Sequence, residues 1–229
     1  MQFIFQQRLK NDYSIDIDIP TVDIDFYLTE GQRRIVEEYY KVYETTEKAR
    51  KVLNYLVVSD DISRSTGVNS DQTGVVTNGE LWKLPEDAMY SLKEEATINI
   101  NLCDDISEVP ADWVRVYVKP INMDYYSLNV GNPFKKPYSG MVWRMDTSNT
   151  SSTYQLHQLI TGGAYRVQTY HITYLAYPES ISVLNSLDCK LPVLVHQDIV
   201  DMAIRIALES LQTNVNFKLG VQPPQPTNK

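Results

Sequence analysis

The feature of the sequence that most constrains the fold is an alternating run at residues 166–177. One side of the run carries Val167, Thr169, His171 and Thr173, and the other carries Tyr170, Ile172 and Tyr174. A period of two with β-branched and aromatic side chains is typical of a β-strand. Similar stretches at residues 90–100, 113–120 and 141–145 are separated by turn residues. We therefore predict an antiparallel β-sheet or sandwich over residues 73–178.

Helical patterns lie on both sides of this β-rich stretch. Apolar positions recur at spacings of four and three, which places them on one helix face, at Ile24, Leu28, Gly31, Ile35, Tyr39 and Val42. A break at Thr46 precedes a second helical segment, so we predict a helical hairpin or a bent helix over residues 23–58. A further helix is predicted over residues 193–211. The predicted fold class is therefore α+β.

The two ends of the chain are predicted to be extended or flexible arms. Aspartate alternates with isoleucine before residue 20, which predicts an extended N-terminal arm over residues 1–22 and an aspartate cap, Asp23 or Asp25, for the next helix. A calcium loop is not expected there, because isoleucines fill its spacer positions and no glycine follows. Residues 212–229 are rich in proline and predict a flexible tail. Residues 23–211 are predicted to form one mixed domain.

Charge and hydropathy exclude several classes of protein. The 229-residue chain carries 21 basic and 29 acidic residues, a formal net charge of −8, whereas autonomous nucleic-acid binders usually present a basic face. No apolar segment approaches the length of a membrane span, and the N-terminus does not have the pattern of a signal peptide. Cys103 and Cys189 show no spacing typical of a bridge, so both are expected to be free thiols.

The sequence contains little that points to catalysis. His157, His171 and His196 have no metal-ligand spacing, and neither a nucleophile-elbow motif nor a phosphate-binding loop is present. Adjacent acids such as Glu94 and Glu95 would point to opposite faces of a strand. Carboxylates distant in sequence could still converge as a glycosidase pair. We expect no cofactor, no metal and no enzymatic activity.

One compact stretch is both basic and aromatic. Residues 129–140 are punctuated by proline and glycine, which predicts a surface loop that contacts a partner protein or DNA, or else an ordinary connection. The chain also has 16 tyrosines against 5 phenylalanines. This bias is equally typical of interfaces and of strands that are partly exposed to solvent. The candidate interface residues are Asn132, Pro133, Phe134, Lys135, Lys136, Pro137 and Tyr138 in this loop, and Phe3, Phe5 and Tyr13 in the N-terminal arm.

Taken in order, several segments of the chain carry a family resemblance. They are DIDFYLTEGQRR (23–34), LPEDAMYSLKEEAT (84–97), VKPI (118–121), NPFKKPY (132–138), VWRM (142–145), YLAYP (174–178) and LPVLVHQDIVD (191–201). This order is similar to structural proteins of crAss-like tailed bacteriophages. Among them, it resembles the head–tail connector proteins that form rings below the portal. The similarity covers residues 12–211, and none of its motifs is catalytic.

The resemblance implies a virion protein that is assembled in the host cytoplasm. Such connector proteins join a helical part to a β-rich part and form rings of twelve copies around the DNA channel. The implied partners are further copies of the chain, the portal, neighbouring tail proteins and the passing DNA. An acidic channel wall would let DNA slide, since phosphate binding needs cations. Neighbouring subunits would be reached by the terminal arms, because extended segments can add to a sheet edge.

Two other functions stay open at this point. The chain could be another virion component, such as a tail, decoration or fibre-attachment protein. It could also be a carbohydrate-binding β-domain, which would need exposed aromatic side chains around a cleft, with Trp82, Trp113 and Trp143 as candidates.

Overall fold

The computed structural model describes residues 1–13, 19–67, 76, 79–99, 113–147, 155–163, 165–182 and 185–218, with side chains through residue 211. The helices are α1 (Gln2–Tyr13), α2 (Thr21–Lys41), α3 (Glu47–Leu53), α4 (Arg64–Gly67), α5 (Met123–Asn129) and α6 (His196–Lys218). The strands are β1 (Val57–Ser63), β2 (Gly79–Lys83), β3 (Ala88–Asn99), β4 (Trp113–Pro120), β5 (Met141–Thr147), β6 (Leu156–Ile160) and β7 (Arg166–Ala176). The predicted α+β class is confirmed.

The elements form two compact units. Met1–Leu56 and Tyr177–Lys229 make one unit, which contains α1, α2, α3 and α6. Val57–Ala176 make the other, which contains the sheet with α4 and α5. We call them the helical unit and the sheet unit. Sequence analysis treated residues 23–211 as one mixed domain, whereas the structure separates the helices at the two ends of the chain from the β-rich middle.

The helical unit is built on the contact of α2 with α6. Ile24 and Leu28 of α2 pack against Val200 and Ile204 of α6 in a buried cluster. The helices approach closely at Gly31, where a Cβ atom would lie 2.9 Å from the carbonyl oxygen of Ile199. The glycine within the predicted apolar stripe is therefore explained by helix packing.

The N-terminal segment is helical over most of its length, so the prediction of an extended arm is wrong for Gln2–Tyr13. Phe5 and Leu9 are one helical turn apart, and both are buried in the core of the helical unit. Arg8 of the same helix forms an ion pair with Asp201 of α6. Most of the aspartate–isoleucine alternation that predicted extension lies at residues 14–18, outside the described residues.

Both predicted helix boundaries shift in the structure. The second helix begins at Thr21 after Pro20, so Asp23 lies in its first turn and is not the cap. The last helix continues to Lys218, so a flexible tail beginning at residue 212 is wrong for its first seven residues. Residues 219–229 lie outside the described residues.

The sheet unit is one mixed seven-stranded sheet in the order β1-β7-β3-β4-β5-β6-β2. The strand pairs are antiparallel except for β4 and β5, which are parallel. The predicted strands at residues 90–100, 113–120, 141–145 and 166–177 are confirmed, with shifts of a few residues at their ends. A wholly antiparallel sheet is not observed, because residues 121–140 cross over and return the chain in the same direction.

The sheet curls so that its two ends approach each other. After β1, the guanidinium of Arg64 donates from Nη1 to a carboxylate oxygen of Glu80 on β2 at 2.7 Å and to the carbonyl oxygen of Val167 on β7 at 2.9 Å. β2 and β7 lie near opposite ends of the strand order. One side chain therefore links the two ends of the sheet across the gap between them.

Strand β1 lies outside the stretch of residues 73–178 over which the sequence predicts strands. Only Ile62 of its seven side chains is buried, so the strand lacks an apolar pattern. It nevertheless pairs along its whole length with β7. It is an edge strand, and its conformation is stabilised by its partner more than by its own residues. Cys103 lies outside the described residues, while Cys189 is a half-buried free thiol.

Candidate assembly interface

The connection between β4 and β5 begins with a short, well-capped helix. The side chain of Asn122 accepts a hydrogen bond from the backbone N–H of Tyr125 at 2.8 Å, which satisfies a donor of the first turn. Asn129 donates from Nδ2 to the carbonyl oxygen of Tyr125 at 2.8 Å and is buried. Both ends of α5 are thus held by asparagine side chains.

One face of α5 packs on the outer surface of the sheet. The rings of Tyr125 and Tyr126 lie edge-on to Trp143, with centroids 5.6 and 6.3 Å away. Lys119 donates from Nζ to the Tyr125 hydroxyl at 2.8 Å. Trp143 is fully buried beneath them. These contacts position α5, so the residues that follow it begin from a defined place.

The same connection exposes apolar side chains. Leu128 is 81% exposed and Phe134 is 93% exposed, and the set that we call the crossover patch is Met123, Leu128, Val130, Phe134 and Tyr138. Exposed apolar side chains gathered on one segment are typical of an interaction surface. Because they extend from a packed helix, their exposure follows from the fold of the sheet unit.

The tip of the connection is a hydrogen-bonded turn. Asn132 accepts from the backbone N–H of Phe134 at its side-chain oxygen, at 3.0 Å. Its carbonyl oxygen accepts from the N–H groups of Lys135 and Lys136 at 3.1 and 2.9 Å. The turn therefore presents an aromatic ring next to two exposed ammonium groups.

The predicted interface residues divide into three groups. Pro133, Phe134, Lys135, Lys136 and Tyr138 are exposed, and Asn132 is half-buried as the hinge of the turn. Phe3 and Tyr13 are exposed on α1. Phe5 and Pro137 are buried, so the prediction that their side chains face a partner is wrong. Phe5 was misplaced because an extended arm would have exposed it, whereas the helix turns it into the core.

Sequence analysis missed Met123, Leu128 and Val130. A helix as short as α5 shows no readable amphipathic period, so the exposure of these side chains was not predictable from spacing. Leu194 falls within the helix predicted over residues 193–211, but it is exposed in a 3-10 turn ahead of the observed helix.

Four titratable side chains meet in the sheet unit, and the exposed Asp146 lies at the edge of this cluster, in an ion pair with Arg144 and 3.3 Å from His157 Nε2. Glu94, Arg144, His157 and Tyr170 come from four different strands, and all four are buried or nearly so. Glu94 Oε2 lies 3.1 Å from Arg144 Nε. Arg144 donates from Nη1 to Nε2 of His157 at 3.0 Å, so the His157 proton lies on Nδ1, 2.9 Å from the Tyr170 hydroxyl. The Tyr170 hydroxyl in turn hydrogen-bonds to Glu94.

Burial sets the protonation of this cluster. It lowers the pKa of His157 to about 3, with a further contribution from the positive charge of Arg144. It raises the pKa of Glu94, although Arg144 opposes that shift. It also raises the pKa of Tyr170 well above its ordinary value. The neutral imidazole and the ion-paired carboxylate therefore link strands of the sheet in its interior.

A second polar set lies on the other side of β7. His171 contacts Asp61 through Nδ1 at 2.5 Å and Thr97 through Nε2 at 2.7 Å. An acid, an imidazole and a hydroxyl in this order resemble a nucleophilic triad. Here the register accounts for them, since Asp61 lies directly opposite His171 in the β1–β7 pair. Among the described residues, no group of three or more His, Cys, Asp or Glu side chains could hold a metal ion.

An exposed apolar connection of this kind is typical of the class of proteins that act by assembling with others. A protein-family model described as phage tail ring protein 3/4 matches residues 7–219. The chain therefore belongs to that family, and its resemblance to the ring proteins of crAss-like phages is confirmed. It is a structural protein of the phage virion. No curated protein matches the chain. Across the described ranges, no helix is long and apolar enough to cross a lipid bilayer.

Proposed function

We propose that the protein is a non-enzymatic subunit of the head–tail connector. Copies of the chain form a ring below the portal, line the channel through which the genome passes and join the capsid to the tail. The observation that carries this proposal is the crossover patch, because exposed apolar side chains on a packed segment are what a ring contact requires. The burial of the His157 imidazole, which the pairing of four strands accounts for, supports a structural rather than a catalytic role.

Ring assembly needs two different surfaces on each subunit. In a closed ring, one face of every copy meets a different face of the next copy. The exposed residues of the predicted interface lie in both units and can supply two such faces. They are Pro133, Phe134, Lys135, Lys136 and Tyr138 in the sheet unit, and Phe3 and Tyr13 in the helical unit. The net charge of −8 supports a channel wall that does not bind DNA tightly.

The test is the copy number of the protein in purified particles, measured against the portal by quantitative mass spectrometry. We expect a ratio near one, which is twelve copies for a twelvefold portal. A ratio several times higher would indicate a tube or shell and would contradict the connector assignment. Absence of the protein from particles would contradict any structural role in the virion.

The structure argues against the carbohydrate-binding alternative. Of the three candidate tryptophans, Trp82 and Trp143 are fully buried, and Trp113 alone is exposed, at 50%. One exposed tryptophan on a strand does not make the aromatic cleft that glycan binding needs. The alternative of another tail component is separated from the connector by the copy number.

A further inference from the structure

The helical unit contains a groove between α2 and α6. Its volume is about 370 Å³. Its apolar lining residues are Ile35, Val42 and Met202, and its polar ones are Glu38, Tyr39, Asp198, Asp201 and Arg205. The groove thus combines an apolar floor with a rim on which acidic groups outnumber basic ones.

The rim carries three carboxylates, those of Glu38, Asp198 and Asp201, and one guanidinium, that of Arg205. Asp201 is already paired with Arg8. Asp198 accepts a long hydrogen bond, 3.5 Å, from the Tyr39 hydroxyl, and the ammonium of Lys48 lies over the Tyr39 ring beside it. Glu38 and Asp198 are both exposed. The groove therefore favours an occupant that carries an apolar group next to positive charge.

The tip of the crossover connection has that composition. Phe134 is almost fully exposed, and Lys135 and Lys136 follow it directly. The hydrogen bonds of Asn132 hold the tip in one turn, so little conformational entropy is lost when it binds. The aromatic side chain matches the apolar floor of the groove, and the ammonium groups match the carboxylates on its rim.

We propose that the Phe134 tip of one subunit docks into the α2–α6 groove of a second copy. Phe134 covers the apolar floor, and Lys135 and Lys136 face Glu38 and Asp198. The tip and the groove are different surfaces of the same chain, so the contact is heterologous and repeats around a ring. This inference rests on the proposed ring function and names its subunit junction.

Zero-length carboxyl–amine cross-linking tests the junction directly. A mixture of nitrogen-15-labelled and unlabelled full-length chains is cross-linked at high concentration and analysed by mass spectrometry. We expect mixed-isotope links that join Lys135 or Lys136 to Glu38 or Asp198. The internal control is the link between Lys51 and Glu47, which lie 2.8 Å apart within one chain. Control links without mixed-isotope links at the groove would overturn the proposal.

Charge reversal provides a second test. Lys135→Glu with Lys136→Glu, or Glu38→Lys with Asp198→Lys, should weaken self-association about tenfold or more, because attraction becomes like-charge repulsion. All four changes in one chain should restore it. Glu44→Lys, on an exposed residue of the same unit outside the groove, is the matched control and should change nothing. Loss of association in both pairs without recovery in the combined variant would overturn the proposal.

The failure of this inference and the failure of the connector assignment give different results. If the protein is present in particles at the portal ratio, but Lys135 and Lys136 link there only to another tail protein, the self-docking proposal is wrong and the connector role stands. If the protein is absent from particles, the proposed function fails whatever the cross-links show.

Discussion

Trp82 and Tyr170 meet edge to face, with ring centroids 6.1 Å apart, although their strands lie near opposite ends of the sheet. Trp82 is on β2, the last strand of the order, and Tyr170 is on β7, the second strand. Both side chains are fully buried in the main core of the sheet unit. A flat sheet would hold them several strands apart, so this contact is made possible by the curl.

We expect Trp82→Ala to lower the free energy of unfolding by about 3–5 kcal/mol, because it removes a large buried side chain at the point of closure. The measurement is denaturant unfolding followed by circular dichroism. Trp113→Ala, at a half-exposed position on β4, should cost less than about 1 kcal/mol. Equal losses for the two variants would show that closure of the sheet does not depend on this contact.

The second prediction concerns Arg64, which bridges the two ends of the sheet. Arg64→Met should lower the free energy of unfolding by about 1–2 kcal/mol, since its charge-assisted hydrogen bonds are lost but are partly screened by solvent. A double-mutant cycle with Glu80→Gln should show that the two side chains are coupled. The comparison is Lys93→Met, which breaks a more exposed pair with Glu95 and should have an effect near zero. Additive effects of the Arg64 and Glu80 changes would contradict the bridge.

The third prediction is a pH dependence of stability from His157. Its pKa in the folded protein is about 3, against about 6.5 in the unfolded chain. The unfolded state therefore binds a proton between these values and the folded state does not. This contribution to stability is complete above pH 6.5 and is lost as the pH falls towards 3. From pH 7 to pH 5 the loss from this group is about 2 kcal/mol.

Glu94 acts in the opposite direction. Its pKa is raised in the folded state, so its contribution to stability is largest at low pH and decreases as the pH rises through the window above its ordinary value. Urea unfolding of the wild type and of His157→Gln at pH 7 and pH 5 separates the two groups. The variant should lose less stability than the wild type on acidification. If the variant and the wild type lose the same unfolding free energy between pH 7 and pH 5, His157 is not the group responsible. His196→Gln is the control.

The fourth prediction tests the close approach of the helices in the helical unit. Gly31→Ala should cost about 1–3 kcal/mol, because the new Cβ atom would meet the backbone of α6 at 2.9 to 3.2 Å. Gly131→Ala is the matched control, since a Cβ atom there meets nothing within 4 Å, and it should be neutral or slightly stabilising. The measurement is thermal unfolding of both variants. A neutral Gly31→Ala would show that α2 and α6 can separate without cost.

Patterned segments of the sequence were predictable, and unpatterned ones were not. Strand β4, Trp113–Pro120, has the predicted bounds because alternating valines specify both its conformation and its buried face. Strand β1 was missed because most of its side chains face solvent and its partner supplies the order. Phe3 and Phe5 looked alike in the sequence. Only the packing of α1 separates them, with Phe3 outside and Phe5 in the core.

The candidate interface shows the same division. The basic and aromatic composition of residues 132–138 was visible in the sequence, and so was the turn that exposes Phe134, because Asn and Pro favour turns. The exposure of Leu128 and the existence of the α2–α6 groove were not visible. Each depends on which face of a helix its neighbours cover.

By itself, the sequence determined the α+β class, most of the strands and the helical stripes, because these follow from local periodicity and composition, and the resemblance of its segments indicated the family. The tertiary structure alone decided the strand order, the closure of the sheet, the buried contact of Glu94 with Arg144 and the position of Phe5. Those features join residues that are far apart along the chain. They depend on strand register and helix packing, which no local pattern specifies.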